Sequence, residues 1–146
     1  MRAQRHGVAG FSLIEVVVAT GVLVVGVLGL AQVLLLAAVA NGDARAVTSA
    51  TVLASGRMEE LRATPWARLT PSPPGALRVD TPGFVDYLDA SGAGLGSETG
   101  AAFVRRWSID PLPSDPMNAV VLQVLVETAA RHTGQTRLLS VRTRWE

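Results

Sequence analysis

Glu15 is the one ionisable residue within a long apolar stretch. From Val16 to Ala40 no side chain carries a charge. A carboxylate at the edge of such a run is costly unless it finds a partner, so it marks a functional position. Elsewhere, residues able to do chemistry are sparse. The two histidines are His6, in the basic N-terminal segment, and His132, in a turn-like segment. No Ser/His/Asp set, paired-carboxylate cleft, glycine-rich phosphate loop or metal-ligand spacing occurs. Asp86, Asp89 and Glu98 flank a Gly- and Ser-rich segment, but their spacing matches no defined calcium loop. There is no cysteine, hence no disulfide framework, thiol nucleophile or thiolate metal site. The reading is of a non-enzyme with no cofactor and no metal.

The element that positions Glu15 is a helix. As a helix, Val16–Ala40 is roughly 37 Å long, enough to span a hydrocarbon core of about 30 Å with some tilt. Arg2, Arg5 and His6 precede it and no acid stands before Glu15. That bias holds the N-terminus on the cytoplasmic side and sends the chain outward. Gly21, Gly26 and Gly29 lie inside the run; small residues of this kind let helices approach closely in a membrane or bundle. Beyond it, Val47, Thr51, Ala54, Met58 and Leu61 recur at spacings of four and three, one stripe of an amphipathic helix. Arg57, Glu59, Glu60 and Arg62 fall off that stripe as a solvated face of i,i+3 and i,i+4 pairs. Pro65 ends the helix.

The remainder, roughly 80 residues, is marginal as an independent core. It therefore draws on the amphipathic part of the helix. Residues 65–82 are proline-rich and read as a loop with one short strand at Leu77–Asp80; Phe84–Leu88 reads as another short strand. Ser91–Gly100 reads as a mobile loop. Three stronger strands follow. Phe103–Ile109 puts Phe103, Trp107 and Ile109 on one face. Ala119–Glu127 does the same with Val120, Leu122, Val124 and Val126. Arg137–Trp145 aligns Leu139, Val141, Thr143 and Trp145, with Ser140, Arg142 and Arg144 opposite. Ala130–Gln135 is turn-like, so the last two strands form an antiparallel hairpin. Trp107 and Trp145 read as packing residues. The expected fold class is α+β: one long N-terminal helix on a small antiparallel sheet. Charged residues are 17% and the net charge is +1, with basic residues dispersed among acids, which does not suit a polyanion binder.

Gly10-Phe11-Ser12-Leu13-Ile14-Glu15, opening an uninterrupted apolar run behind a short basic leader, resembles the processing site of type IV pilins and of type II secretion pseudopilins. The resemblance covers residues 10–40 by motif and residues 41–62 more loosely. Met58-Glu59-Glu60-Leu61-Arg62 and the run from Gly26 to Ala31 look most like PilV-type minor pilins or the GspI-type minor pseudopilin. The resemblance implies a leader at residues 1–10, removed by a prepilin peptidase that cuts after Gly10 and methylates the amine of Phe11. It implies a transmembrane and filament-core helix at residues 11–40, its amphipathic half at residues 41–64, and a head outside the cytoplasm at residues 65–146. Glu15 would meet the Phe11 amine of a neighbouring subunit. Opposite charges about 4 Å apart attract strongly in low dielectric, though desolvation cancels much of the gain; the benefit is register. The implied partners are the peptidase, other pilin subunits and the inner-membrane assembly platform. The implied location is the inner membrane and then a pilus or pseudopilus. Gly10 suits the cut, since a residue without a side chain lets extended backbone enter a protease cleft. Many major pilins have a proline midway along this helix; this chain has none there.

Two plainer readings compete. Ala38-Val39-Ala40 is an A-x-A site, and cleavage there would release a secreted binding domain beginning at Asn41. A signal-peptide core spans about 7–15 residues, shorter than this run, and does not open on an acid. The other is a membrane anchor that is never processed. Within the resembled class, a type II secretion or DNA-uptake pseudopilin is the alternative to a pilus subunit.

Overall fold

The computed structural model describes residues 12–129 and 135–144. Helix α1 runs Leu13–Ala63, and a single 3-10 turn follows at Trp66–Arg68. Five strands come next: β1 (Val85–Leu88), β2 (Gly94–Leu95), β3 (Phe103–Pro111), β4 (Ala119–Thr128) and β5 (Gln135–Thr143). The chain divides into two compact units, Met1–Asn41 and Gly42–Glu146, and each is described by itself.

α1 is continuous because nothing in it forbids a helix: its sequence contains no proline, and Thr20, Thr48 and Thr51 each return their hydroxyl to the carbonyl four residues earlier. It stops where Pro65 demands extended backbone at the residue before it. In the first unit every large apolar side chain of the helix is exposed. In the second, Ala50, Ala54, Met58 and Leu61 are buried.

The buried stripe differs from the expected one. Ala54, Met58 and Leu61 belong to it, but Val47 and Thr51 are exposed and Ala50 is buried instead. Alanine at positions 50 and 54 brings the helix backbone close to the sheet and leaves the space to the sheet's own large side chains.

The sheet is antiparallel throughout, in the order β2-β1-β3-β4-β5. Its helix-facing side carries Leu88, Phe103, Trp107, Ile109, Val120, Leu122, Val124 and Val126, which join the four helix residues in one core. Leu122, Val124 and Val126 are fully buried; each such side chain contributes about 1.5–3 kcal/mol by leaving water.

Three further expectations are corrected. Leu77–Asp80 is not a strand: Arg78 and Val79 both donate to the Gly75 carbonyl (2.7 and 3.2 Å), with Gly75 at φ +85°. The turn forms because glycine accepts that left-handed conformation freely. Residues 91–100 are not simply loop, since Gly94–Leu95 forms β2 and pairs with Tyr87–Leu88. In β5 the alternation is as expected, but the face is inverted. Leu139 and Val141 are 63% and 51% exposed, whereas Leu138 packs against the core and Arg142 is half-buried. The pairing of β4 with β5 matches the expected hairpin; its turn at residues 130–134 and Trp145 lie outside the described residues.

Residues 71–82 cross the other side of the sheet as a strap. Ser72 anchors one end, its N–H donating to the Ile109 carbonyl (2.9 Å) and its hydroxyl accepting from the Ile109 N–H (3.1 Å). Asp80 anchors the other, accepting from Arg106 Nε (2.6 Å) and the Tyr87 hydroxyl (2.8 Å). Ala76, midway along the strap, is buried.

Candidate functional site

Of the three residues singled out in the sequence, Gly10 and Phe11 lie outside the described residues. Glu15 stands in the first turn of α1 with its side chain exposed. Among the described residues it has no hydrogen-bond or ion-pair partner. A carboxylate at a helix N-terminus is favoured by the unsatisfied N–H groups and the positive end of the helix dipole. A positive charge brought to this end would gain a partner that this stretch of helix does not supply.

The apolar residues around Glu15 and after it are exposed on every side: Leu13, Ile14, Val16–Val18, Val22–Val25, Leu28, Leu34 and Leu35 among them. The helix is long and apolar enough to cross a membrane, and none of that window is buried within the protein. A signal sequence passes the same length and composition test. A soluble core helix passes it too, though such a helix is mostly buried. Thr20, the polar side chain nearest Glu15 along the run, is satisfied by the Val16 carbonyl (2.7 Å), as an apolar environment demands. A Cβ at Gly21, Gly26 or Gly29 would meet nothing, so these glycines leave shallow places on the helix surface that no described residue fills.

Two of the three acids that flank the Gly- and Ser-rich segment are committed elsewhere. Asp86 pairs with Arg105 (2.7 Å). Asp89 Oδ1 accepts from the Ser91 N–H and hydroxyl and from the Ala93 N–H (2.8, 2.6 and 3.0 Å). These bonds, the Ser91 hydroxyl foremost, hold the Asp89 carboxyl below the usual carboxylate range. Among the described residues no three His, Asp or Glu gather as a metal site. His132 lies outside the described residues.

Four arginines fasten the helix to the sheet: Arg57, Arg62 and Arg142, which the sequence placed away from the apolar faces, and Arg105, which it did not single out. Arg57 was expected on the solvated face. It is half-buried, its guanidinium 3.7 Å from the Trp107 ring centroid, and it still pairs with Glu60 (2.7 Å). Arg62 pairs with Glu59 (3.0 Å), as expected, and also donates to the Ser140 hydroxyl (2.8 Å). Arg105 donates to the Leu53 carbonyl (3.2 Å). Arg142 donates to the carbonyls of Leu61 (3.2 Å) and Thr64, which the end of the helix leaves unpaired. A usable signal existed for Arg105: it sits between Phe103 and Trp107 at an inward position of an alternating strand, where a charge requires a partner.

On the far side of the sheet, Arg106 bridges Asp80 and Glu127 (both 2.6 Å). Burial would lower its pKa, but the two carboxylates outweigh that and raise it. Burial likewise pushes Asp80 up, but hydrogen bonds from Tyr87 and Arg106 prevail and lower it. Tyr87 is raised by its hydrogen bond to Asp80.

The architecture is α+β, one long helix against a five-stranded antiparallel sheet, and is consistent with the pilin fold. No family model, curated protein or solved structure matches the chain.

Proposed function

We propose that this chain is a type IV pilin-like structural subunit, of the minor pilin kind, made as a membrane-anchored precursor and added to a filament. A pseudopilin of type II secretion or DNA uptake is the sibling reading, and the head does not separate the two. The peptidase, neighbouring subunits and the inner-membrane assembly platform are the proposed partners.

The observation that carries this reading is the continuity of α1 through Ala38-Val39-Ala40. A secreted domain released at Ala40 would be cut in the middle of a helix, with α1 continuing on both sides of the bond. A pilin-like subunit uses the same helix as anchor and as scaffold for its head. The apolar run, exposed on all sides and opened by Glu15 behind Gly10-Phe11, supports it further.

Mass spectrometry of the mature N-terminus tests the reading. The expected product begins at methylated Phe11, and replacing Gly10 by a bulky residue leaves only full-length precursor. A native protein beginning at Asn41, or normal maturation of the Gly10 variant, overturns it. Glu15→Gln keeps shape and hydrogen bonding but deletes the charge. It should leave cleavage intact and lower the ratio of subunit in sheared filaments to subunit in membranes.

A further inference from the structure

β5 is the outer strand of the sheet, and its free edge is organised. The Arg144 N–H donates to the Asn118 carbonyl (2.7 Å), so even-numbered residues of β5 direct their backbone groups toward β4. In an antiparallel ladder the alternate residues direct theirs the other way. Gln135, Arg137, Leu139, Val141 and Thr143 therefore present their N–H and C=O groups to the open edge. Their side chains share the strap side of the sheet, because Val141, Leu139 and Arg137 stand opposite Val121, Gln123 and Leu125. Leu139 and Val141 are exposed there.

At the Gln135 end of this edge lies an open pocket of about 190 Å³, lined by Leu77, Arg78, Leu125, Gln135 and Arg137. Two arginines line it and no acid does. Among the described residues the Arg78 side chain has no hydrogen-bond or ion-pair partner, and the Arg137 guanidinium donates only to the Gln123 side chain. Long open edges invite pairing and are blunted by bulges, prolines or charged side chains. β5 has no bulge or proline and pairs with β4 without a break in register from Gln135 to Thr143; the charge on its open side is Arg137, which repels a basic strand and favours an acidic one.

We propose that the β5 edge is a docking site for an extended, acid-bearing segment of another protein, added as a sixth strand. Its backbone pairs with Arg137, Leu139 and Val141, two apolar side chains cover Leu139 and Val141, and a carboxylate seats between Arg78 and Arg137. Run antiparallel, the segment reads apolar-x-apolar-x-acid. Charge selects the occupant. β5 itself carries no acid, and a second copy whose Leu139 and Val141 covered the first copy's Val141 and Leu139 would set Thr143 opposite Arg137, whereas a carboxylate gains charge-assisted, geometrically matched bonds from both arginines. The site does not depend on how the N-terminus is processed.

The test uses the full chain in detergent micelles and the blocked peptide Thr-Val-Thr-Val-Thr-Glu-Thr, with a Lys-for-Glu control. Amide exchange at Leu139 and Val141 is the readout. In the free chain these N–H groups should exchange fast while those of Leu138 and Ser140 are protected. The Glu peptide should slow exchange at Leu139 and Val141 and bind about tenfold tighter than the Lys peptide, a difference typical of one charged hydrogen bond. Arg78→Gln, at an exposed position in the strap, should erase most of that preference while leaving the head's melting temperature unchanged. Equal binding of both peptides overturns the proposal, as does no protection at millimolar peptide. Protection in the free chain accompanied by dimers in sedimentation overturns the occupant in favour of a second copy.

Discussion

The two halves of α1 have the same backbone and opposite side-chain logic. In Leu13–Asn41 the apolar residues surround the helix and all the large ones are exposed. In Gly42–Ala63 a single stripe is buried, built on two alanines, a methionine and a leucine. A helix that is apolar all round is stable only where its surroundings are apolar too. A striped helix is stable where one surface covers it. The first half is long and apolar enough to cross a membrane and has no surface of the protein over it, whereas the second has its partner in the sheet. Helix propensity does not distinguish them; what lies outside the helix does.

Substitutions can pull the halves apart. The largest effect is expected from Leu122→Asp or Val124→Asp, at positions with 0% exposure against the striped half. An unpaired charge buried there costs more than about 4 kcal/mol, close to the whole stability of a small domain. Circular dichroism should show the sheet lost while the chain still partitions to membranes. If the head melts normally, the core assignment fails.

Leu28→Asp is the converse. A carboxylate near the centre of a membrane span costs about 2.5–3.5 kcal/mol in insertion. Membrane retention should fall while the melting temperature of the head, read in detergent, stays unchanged. Loss of both would mean that the two halves are not independent in this sense.

Gly92→Ala probes the edge of the striped half. Gly92 has φ +86°, and a Cβ there would come within 2.9 Å of Leu53 Cδ2. Left-handed backbone costs a non-glycine residue about 1–2 kcal/mol. The head should melt roughly 4–15 °C lower; an unchanged transition would mean that the loop relaxes freely.

The smallest effect sharpens the far side of the sheet. The Asp80 carboxyl is held below its ordinary value, so it stabilises the fold above about pH 4. That contribution is lost as pH falls through its lowered pKa. Tyr87 is raised, so its contribution is complete below about pH 10 and is lost as pH rises through the raised value. Tyr87→Phe should remove the alkaline loss of stability and reduce the acidic one. A pH–stability profile identical to that of the unsubstituted chain would mean that the hydrogen bond to Asp80 contributes nothing.

Much of this fold was legible in the residues. The charge-free run, the stop at Pro65 and the period-two alternation in β3, β4 and β5 needed only local rules: helix and strand periodicities are built into the backbone, and proline's constraint is steric. The position of Glu15 relative to Gly10 and Phe11 is likewise a property of the sequence alone. What tertiary structure decided is which side of each pattern faces inward. Alternation sets a period and leaves its sign open. In β5 the sign follows from the neighbours: turning Arg142 and Ser140 toward α1 satisfies the carbonyls at its end and the Arg62 side chain, and Leu139 and Val141 then face outward. Arg57 moved from the solvated face to the core margin for a similar reason, because the Trp107 ring receives its guanidinium. The strap likewise had no local signature. It lies where Asp80 meets Arg106 and Tyr87, partners distant in sequence that only folding brings together.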